Sequence, residues 1–265
     1  SRLELEGIES IRPVLRVVQL VQQHRDMVGG VLAGNAGMRD GVKQKTAEVE
    51  EAIRQADAKL AGRAVAARQQ EAWKILKDEW ATLAAGWQDL TSQLSFIAHR
   101  SVIQNAMQII SGIGEDSSLL MDPDLDSYYL ANTALFVMPD TIERLSIIRG
   151  AGNALLTAKS ISDYEKHEFS TWLGVLGKMN EDLNVALARA EKSNPEMKDA
   201  LAQIGERYFS DAEAVAMLVQ GEMLTGRLNT PAGDFYAKAS GVIDAAFEEL
   251  DRTLLPTLGK LIEAR

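Results

Sequence analysis

Ile243, Phe247, Leu250, Leu254, Leu258 and Leu261 recur at steps of three and four residues near the end of the chain. On a helix of 3.6 residues per turn this spacing aligns them into one apolar stripe. A helix over 231–265 would reach about 50 Å at 1.5 Å per residue. A rod of that length with a single greasy stripe must lie against other rods, which points to an elongated antiparallel bundle rather than a globule. Pro256 interrupts the stripe and is expected to bend the rod without ending it.

The rest of the chain reads the same way. Ala, Leu, Glu, Gln, Lys and Met are frequent, and period-two runs of β-branched residues are scarce. Asp122-Pro123, Asn194-Pro195 and Thr230-Pro231 each set a capping residue before a proline, a helix-start signature. Gly34-Asn35 and Gly62 read as helix stops. Helices are predicted near 8–33, 38–61, 66–87, 91–113, 124–158, 161–192, 196–224 and 231–265. The expected fold is all-α, with two stacked four-helix modules sharing long helices.

Several chemistries are unsupported. A net charge of −10 opposes nucleic-acid binding, which needs clustered Lys and Arg. Without cysteine there are no thiolate, zinc-thiolate or disulfide sites. Apolar residues make up 46% of the chain, yet no run reaches the length of a membrane span. Helical di-iron sites require Glu three residues before His, whereas Val21, Phe96 and Tyr164 precede His24, His99 and His167. No nucleophile elbow, Walker loop or dinucleotide fingerprint occurs. Asp122, Asp124 and Asp126 imitate the start of a calcium loop, but Ser127 stands where the glycine belongs and Thr133 where the final Glu belongs. No cofactor, metal or catalytic role is expected.

Two seams break the apolar rule in the same manner. Ile8, Ile11, Leu15 and Val18 are followed at helical spacing by Gln22, Arg25, Gly29 and Leu32. Leu135, Met138, Ile142 and Leu145 are followed by Arg149, Gly152 and Leu156. A guanidinium on a packed face needs an anion or a route to water. Either the two arginines converge on a small anion, with the nearby glycines leaving it room, or each pairs with a carboxylate of the bundle or snorkels to solvent. Tyr128 and Tyr129 either line a pocket or anchor a helix start. Trp73, Trp80 and Trp87, seven residues apart, read as core packing. His24 reads as a packed or surface residue.

Three segments carry a resemblance. Gly7-Ile8-Glu9-Ser10-Ile11-Arg12-Pro13, followed by Gln22-Gln23-His24-Arg25 and the run to Asn35, resembles the first helix of a family of extracytoplasmic helical sensor domains. Those domains occur in methyl-accepting chemotaxis proteins and related sensor histidine kinases and diguanylate cyclases, and are similar to the nitrate- and nitrite-sensing helical domain. Met121-Asp122-Pro123-Asp124-Leu125-Asp126-Ser127-Tyr128-Tyr129-Leu130, continuing to Pro139 and Arg149-Gly150, resembles its most specific motif. Phe235-Tyr236-Ala237-Lys238-Ala239 through Asp244 to Leu261 resembles its last helix.

The resemblance implies a single periplasmic sensor domain over 1–265, lying between two transmembrane helices of a bacterial chemoreceptor. It implies a homodimer that binds a small molecule and signals to a cytoplasmic domain of the same full-length chain. In the sensing domain an arginine on the first helix and one on a later helix hold the anion. By match these are Arg25 and Arg149; from the residue pattern itself, Gln22 on the first seam and the pair Tyr128 and Tyr129 are further candidate ligand contacts. One departure stands out, because Asp26 occupies a position usually filled by glycine.

Overall fold

The computed structural model describes residues 1–121 and 123–265, so Asp122, its capping role and its part in the acidic triplet lie outside the described residues. Eight rods follow one another, and no strand occurs among the described residues. The first four are α1 (Arg2–Leu32), α2 (Arg39–Leu60), α3 (Ala67–Gly86) and α4 (Ser92–Asp116). The fifth joins α5 (Leu125–Asn132) through a π turn at Thr133–Val137 to α6 (Met138–Ala158). Then come α7 (Asp163–Ser193) and α8 (Lys198–Val219), the latter ending in a π turn at Gln220–Leu224. The last rod is α9 (Ala232–Glu249), a π turn at Leu250–Leu254, and α10 (Leu255–Glu263).

Most ends fall where the punctuation placed them. Gly34, at φ +114°, follows α1 in a backbone conformation that side chains with a Cβ resist. Ser162 and Glu165 form a reciprocal capping box at the start of α7. The first helix starts earlier than its predicted residue 8. Ser1 and Glu4 cap it, and Gly7 is a point of close approach to Ser117, just past the end of α4, not a breaker.

Pro139 and Pro256 each stand just after a π turn. A proline lacks the N–H and its ring collides with the carbonyl four residues earlier. A widened turn at that place relieves both conflicts, so each rod runs on through its proline.

Side-chain pairings set the topology. Ser10 meets Lys59 while Gln23 meets Lys45, so α1 and α2 are antiparallel. Arg68 with Asp116 and Asn105 with Glu79 do the same for α3 and α4, and Gly7 against Ser117 with His24 against His99 for α1 and α4. In the second half Arg149 meets Ser240, while Arg265 meets Ser127 at the other end of the same two rods. Each half is thus an up-down-up-down bundle of four rods. The two lie side by side, with α1 packed on α6. The expected stacking of modules along shared helices is not seen, since the first four rods make up one half and the last four the other.

The core runs along the α1–α6 seam and through both bundles. Ile11, Val14, Val17, Val21, Leu145 and Ile148 are completely buried or nearly so. Trp73, Trp80 and Trp87 are buried as core residues, with the Trp73 indole donating to Asp57 at 2.7 Å. Both chain ends lie at one end of the molecule. Arg25 stands near the other, about 35 Å along α1 from its first turn.

Candidate functional site

Arg25 and Asp26 are neighbours one turn beyond Gln22 on α1, and Glu143, Ser146 and Arg149 occupy successive turns of one face of α6. All six are buried, Arg149 and Ser146 at 0% exposure and Arg25 at 4%. Because α1 packs on α6, the two arginines converge. Arg149 Nε donates to Asp26 Oδ2 at 2.6 Å, and Arg25 Nε lies 3.5 Å from Asp26 Oδ1. Both guanidinium groups also donate to the Ser146 hydroxyl, at 3.0 Å from Arg25 and 3.4 Å from Arg149.

A second carboxylate completes the cluster. Arg25 donates through both terminal nitrogens to Glu143, at 2.6 and 3.3 Å, a bidentate fork. Gln22 donates to the same carboxylate at 2.8 Å, and its own side-chain oxygen has no partner. The Arg25 guanidinium lies 5.6 Å from the centre of the Phe96 ring on α4. On the other side Arg149 donates to Ser240 at 3.1 Å and lies 5.0 Å over the Tyr236 ring, both on α9. Two positive and two negative charges therefore sum to zero inside the seam.

The electrostatics follow from burial. Loss of water pulls the Arg25 and Arg149 pKa values down, but the carboxylates outweigh it and hold both groups charged, above their ordinary value. Burial lifts the Asp26 carboxyl above the usual range; Arg149 and Arg25 pull it back without cancelling the shift. Burial also pushes the Tyr236 hydroxyl up to about 12.

The glycines beside the arginines do not leave a matched pair of gaps. Gly29 faces open space, whereas a Cβ at Gly152 would overlap Phe235 and Met223. A groove of about 610 Å³ lies elsewhere, between α1, α2 and the last rod, and is lined by Arg12, Lys59, Asp244 and Asp251 among others.

The tyrosines go elsewhere. Tyr128 and Tyr129 sit on α5, in the same rod as Arg149 but about 30 Å away along it. The structure therefore does not bring them to the arginine cluster; they pack on one another with ring centres 5.6 Å apart. Near them Arg265 pairs with Asp126 at 2.5 Å and Asp124 at 3.0 Å. Among the described residues no group of three or more His, Asp or Glu is placed to hold a metal ion.

Sequence reasoning missed Glu143, Ser146, Tyr236 and Ser240. The first two carried a signal, since they share a helix face with Arg149 at spacings of three and six. The last two carried none, because the register of α9 on α6 is a tertiary fact.

His24, the residue before Arg25, takes part in a second buried polar chain. His99 Nδ1 lies 2.7 Å from the Ser95 carbonyl and so carries the proton that it donates there. His99 Nε2 then accepts from His24 Nδ1 at 2.8 Å, and His24 Nε2 accepts from the Thr46 hydroxyl at 3.0 Å. Trp80 covers His24 edge-on, 4.8 Å between ring centres. Burial, helped by Lys45, lowers the His24 pKa to about 4. Burial and the neighbouring His24 lower that of His99 to about 3.

Among the described residues no helix is long and apolar enough to cross a membrane. No curated protein and no solved structure matches the chain significantly. The family model for nitrate and nitrite sensing matches residues 16–255, which contain both arginines and the whole of the buried cluster. With that match over most of its length, and an all-α bundle that joins Arg25 to Arg149, the chain belongs to the nitrate- and nitrite-sensing domain family.

Proposed function

We propose that this chain is the ligand-binding sensor domain of a transmembrane bacterial chemoreceptor. It lies on the periplasmic side, acts as a homodimer, and recognises a small anion such as nitrate, nitrite or a short carboxylate. It has no catalytic role, and its output passes to a cytoplasmic domain of the full-length chain. The observation that carries the ligand class is the convergence of two buried guanidinium groups, from helices on different halves of the molecule, on one planar oxyanion. The oxyanion held there is the carboxylate of Asp26, so the recess suits a flat group with three-centre geometry. Gln22 supports the site through Glu143.

Signalling follows from where the cluster sits. It touches α1, α6 and, through Ser240 and Tyr236, α9. The last rod then runs to Arg265, which grips the start of the rod that carries Arg149. A ligand that alters how α9 seats on α6 would shift this rod by its differential affinity for the two packings. The same sensor on a histidine kinase or diguanylate cyclase would work identically up to Arg265.

One observation favours a different reading, a helical adaptor with no small-molecule ligand: Asp26 and Glu143 already neutralise both arginines. Calorimetric titration with sodium nitrate, sodium nitrite and acetate separates the two. The sensor reading expects saturable heat for at least one anion, abolished in Arg25→Ala and Arg149→Ala proteins that keep native circular dichroism. No binding at all, or binding that both substitutions leave unchanged, refutes it.

A further inference from the structure

Asp26 is placed as an anion rather than as an ordinary helix residue. Its side chain is fully buried, one oxygen lies 2.6 Å from Arg149 Nε, and the other lies 3.5 Å from Arg25 Nε. On α6 it is seated against Gly150, where a Cβ would overlap Asp26 Oδ1 and Cγ. The carboxylate therefore occupies the space between the two guanidinium groups, and glycine at 150 makes that seat possible.

The cluster's charge then restricts what can enter. The groups facing Asp26 are Arg25 on its own helix, Arg149 and Glu143 on α6, and Tyr236 on α9, with Asp244 of α9 acting on Arg149 from further out. On α4 the buried His99 feels Arg25 and is neutral. Four full charges cancel, so a monoanion added to this buried site would leave it at −1. An uncompensated charge away from water is strongly disfavoured.

Resting on the reading of the site as an anion receptor, we infer that Asp26 is a tethered competitor for the ligand: an anion binds between Arg25 and Arg149 only as Asp26 gives up its seat and takes a proton from solvent. The site thus takes up the anion and a proton together, the equivalent of the neutral acid. Asp26 is the carboxylate to do so, not Glu143. Glu143 is held by a bidentate fork and by Gln22, whereas Asp26 has one strong ion pair and one at the limit of bonding. Its deep burial acts in the same direction by favouring the neutral carboxyl. A donor also waits beside the seam. Asn153, one turn beyond Arg149 on the same face of α6, is 3% exposed, and its side-chain nitrogen has no acceptor.

The test is nitrate and nitrite calorimetry on the whole domain from pH 5.5 to 8, in pairs of buffers with different ionisation heats. For the wild type, uptake of about one proton per anion is expected, with affinity falling roughly tenfold per pH unit above the Asp26 pKa. In Asp26→Asn, which keeps the shape and removes the charge, binding becomes tighter at pH 8, independent of pH, and free of proton uptake. Wild-type binding with no proton uptake overturns the inference while leaving the anion receptor standing, and needs no variant to fold. Equal affinities of wild type and a folded Asp26→Asn at pH 8 overturn it as well. Absence of binding to either protein at every pH removes the receptor reading and this inference with it.

Discussion

Acidification should unfold this domain chiefly through the His24–His99 pair. Both imidazoles are neutral in the fold because water cannot reach them, with pKa values near 4 and 3 against an ordinary 6.5. The unfolded chain protonates each histidine as the pH drops through 6.5, while the folded chain does not until the pH nears 4. The stability they contribute is therefore complete above 6.5 and is lost as the pH falls from there toward 4. At pH 5 each histidine binds about one proton more in the unfolded state, which at 1.36 kcal/mol per pH unit amounts to about 2 kcal/mol per residue, or about 4 kcal/mol for the pair. That is a large part of a typical domain's 5–15 kcal/mol. The hydrogen-bond chain sets the order of events. One proton can enter at His24 Nε2, since the Thr46 hydroxyl can turn to the Val42 carbonyl 2.9 Å away. A second would place two N–H groups head to head between the rings. Urea denaturation of the wild type and of His24→Leu/His99→Leu, each at pH 7.5 and 5.0, measures the effect. Removing both imidazoles together leaves the Thr46 hydroxyl its Val42 carbonyl and takes a partner only from Ser95, so the double variant is expected to fold. Its loss on acidification should be about 4 kcal/mol smaller than that of the wild type, since titrating groups common to both proteins cancel in the comparison. Equal pH dependence in the two proteins would refute the assignment of acid sensitivity to this pair.

Other outcomes follow from the same geometry. Arg149→Met strands Asp26 in the seam and should cost about 3–5 kcal/mol in urea unfolding, while adding Asp26→Asn should recover much of it, since a lone buried charge is worse than none. Gly150→Ala forces the Asp26 carboxylate from its seat and should destabilise by about 1–3 kcal/mol, an effect that should largely vanish in an Asp26→Gly background. Asp126→Asn, loosening Arg265 at the partly exposed end of the last rod, should lower stability by no more than about 1 kcal/mol in the same assay.

The rods were legible before any fold was known. Three-four spacing marks helices because side chains three and four apart share a face, and Gly34 and the capped prolines punctuate because their backbone chemistry is local. Arg25 and Arg149 were legible as misfits, each alone on an apolar seam, and Asp26 stood beside one of them. Even the separation of Tyr128 and Tyr129 from Arg149 lay within reach, since a continuous helix puts residues twenty apart about 30 Å from each other.

How the halves lie against each other was decided only by tertiary packing. Repeating stripes state which face is buried but not which neighbour buries it, so side-by-side bundles and stacked ones read alike along the chain. For the same reason the partners of the arginines were hidden. Glu143, Ser146, Ser240 and Asp26 reach them across helix contacts whose register depends on how whole surfaces interlock. Periodicity is a property of one helix at a time, whereas neutralising a buried charge requires two or more, and so the misfits were written in the sequence and their answers in the fold.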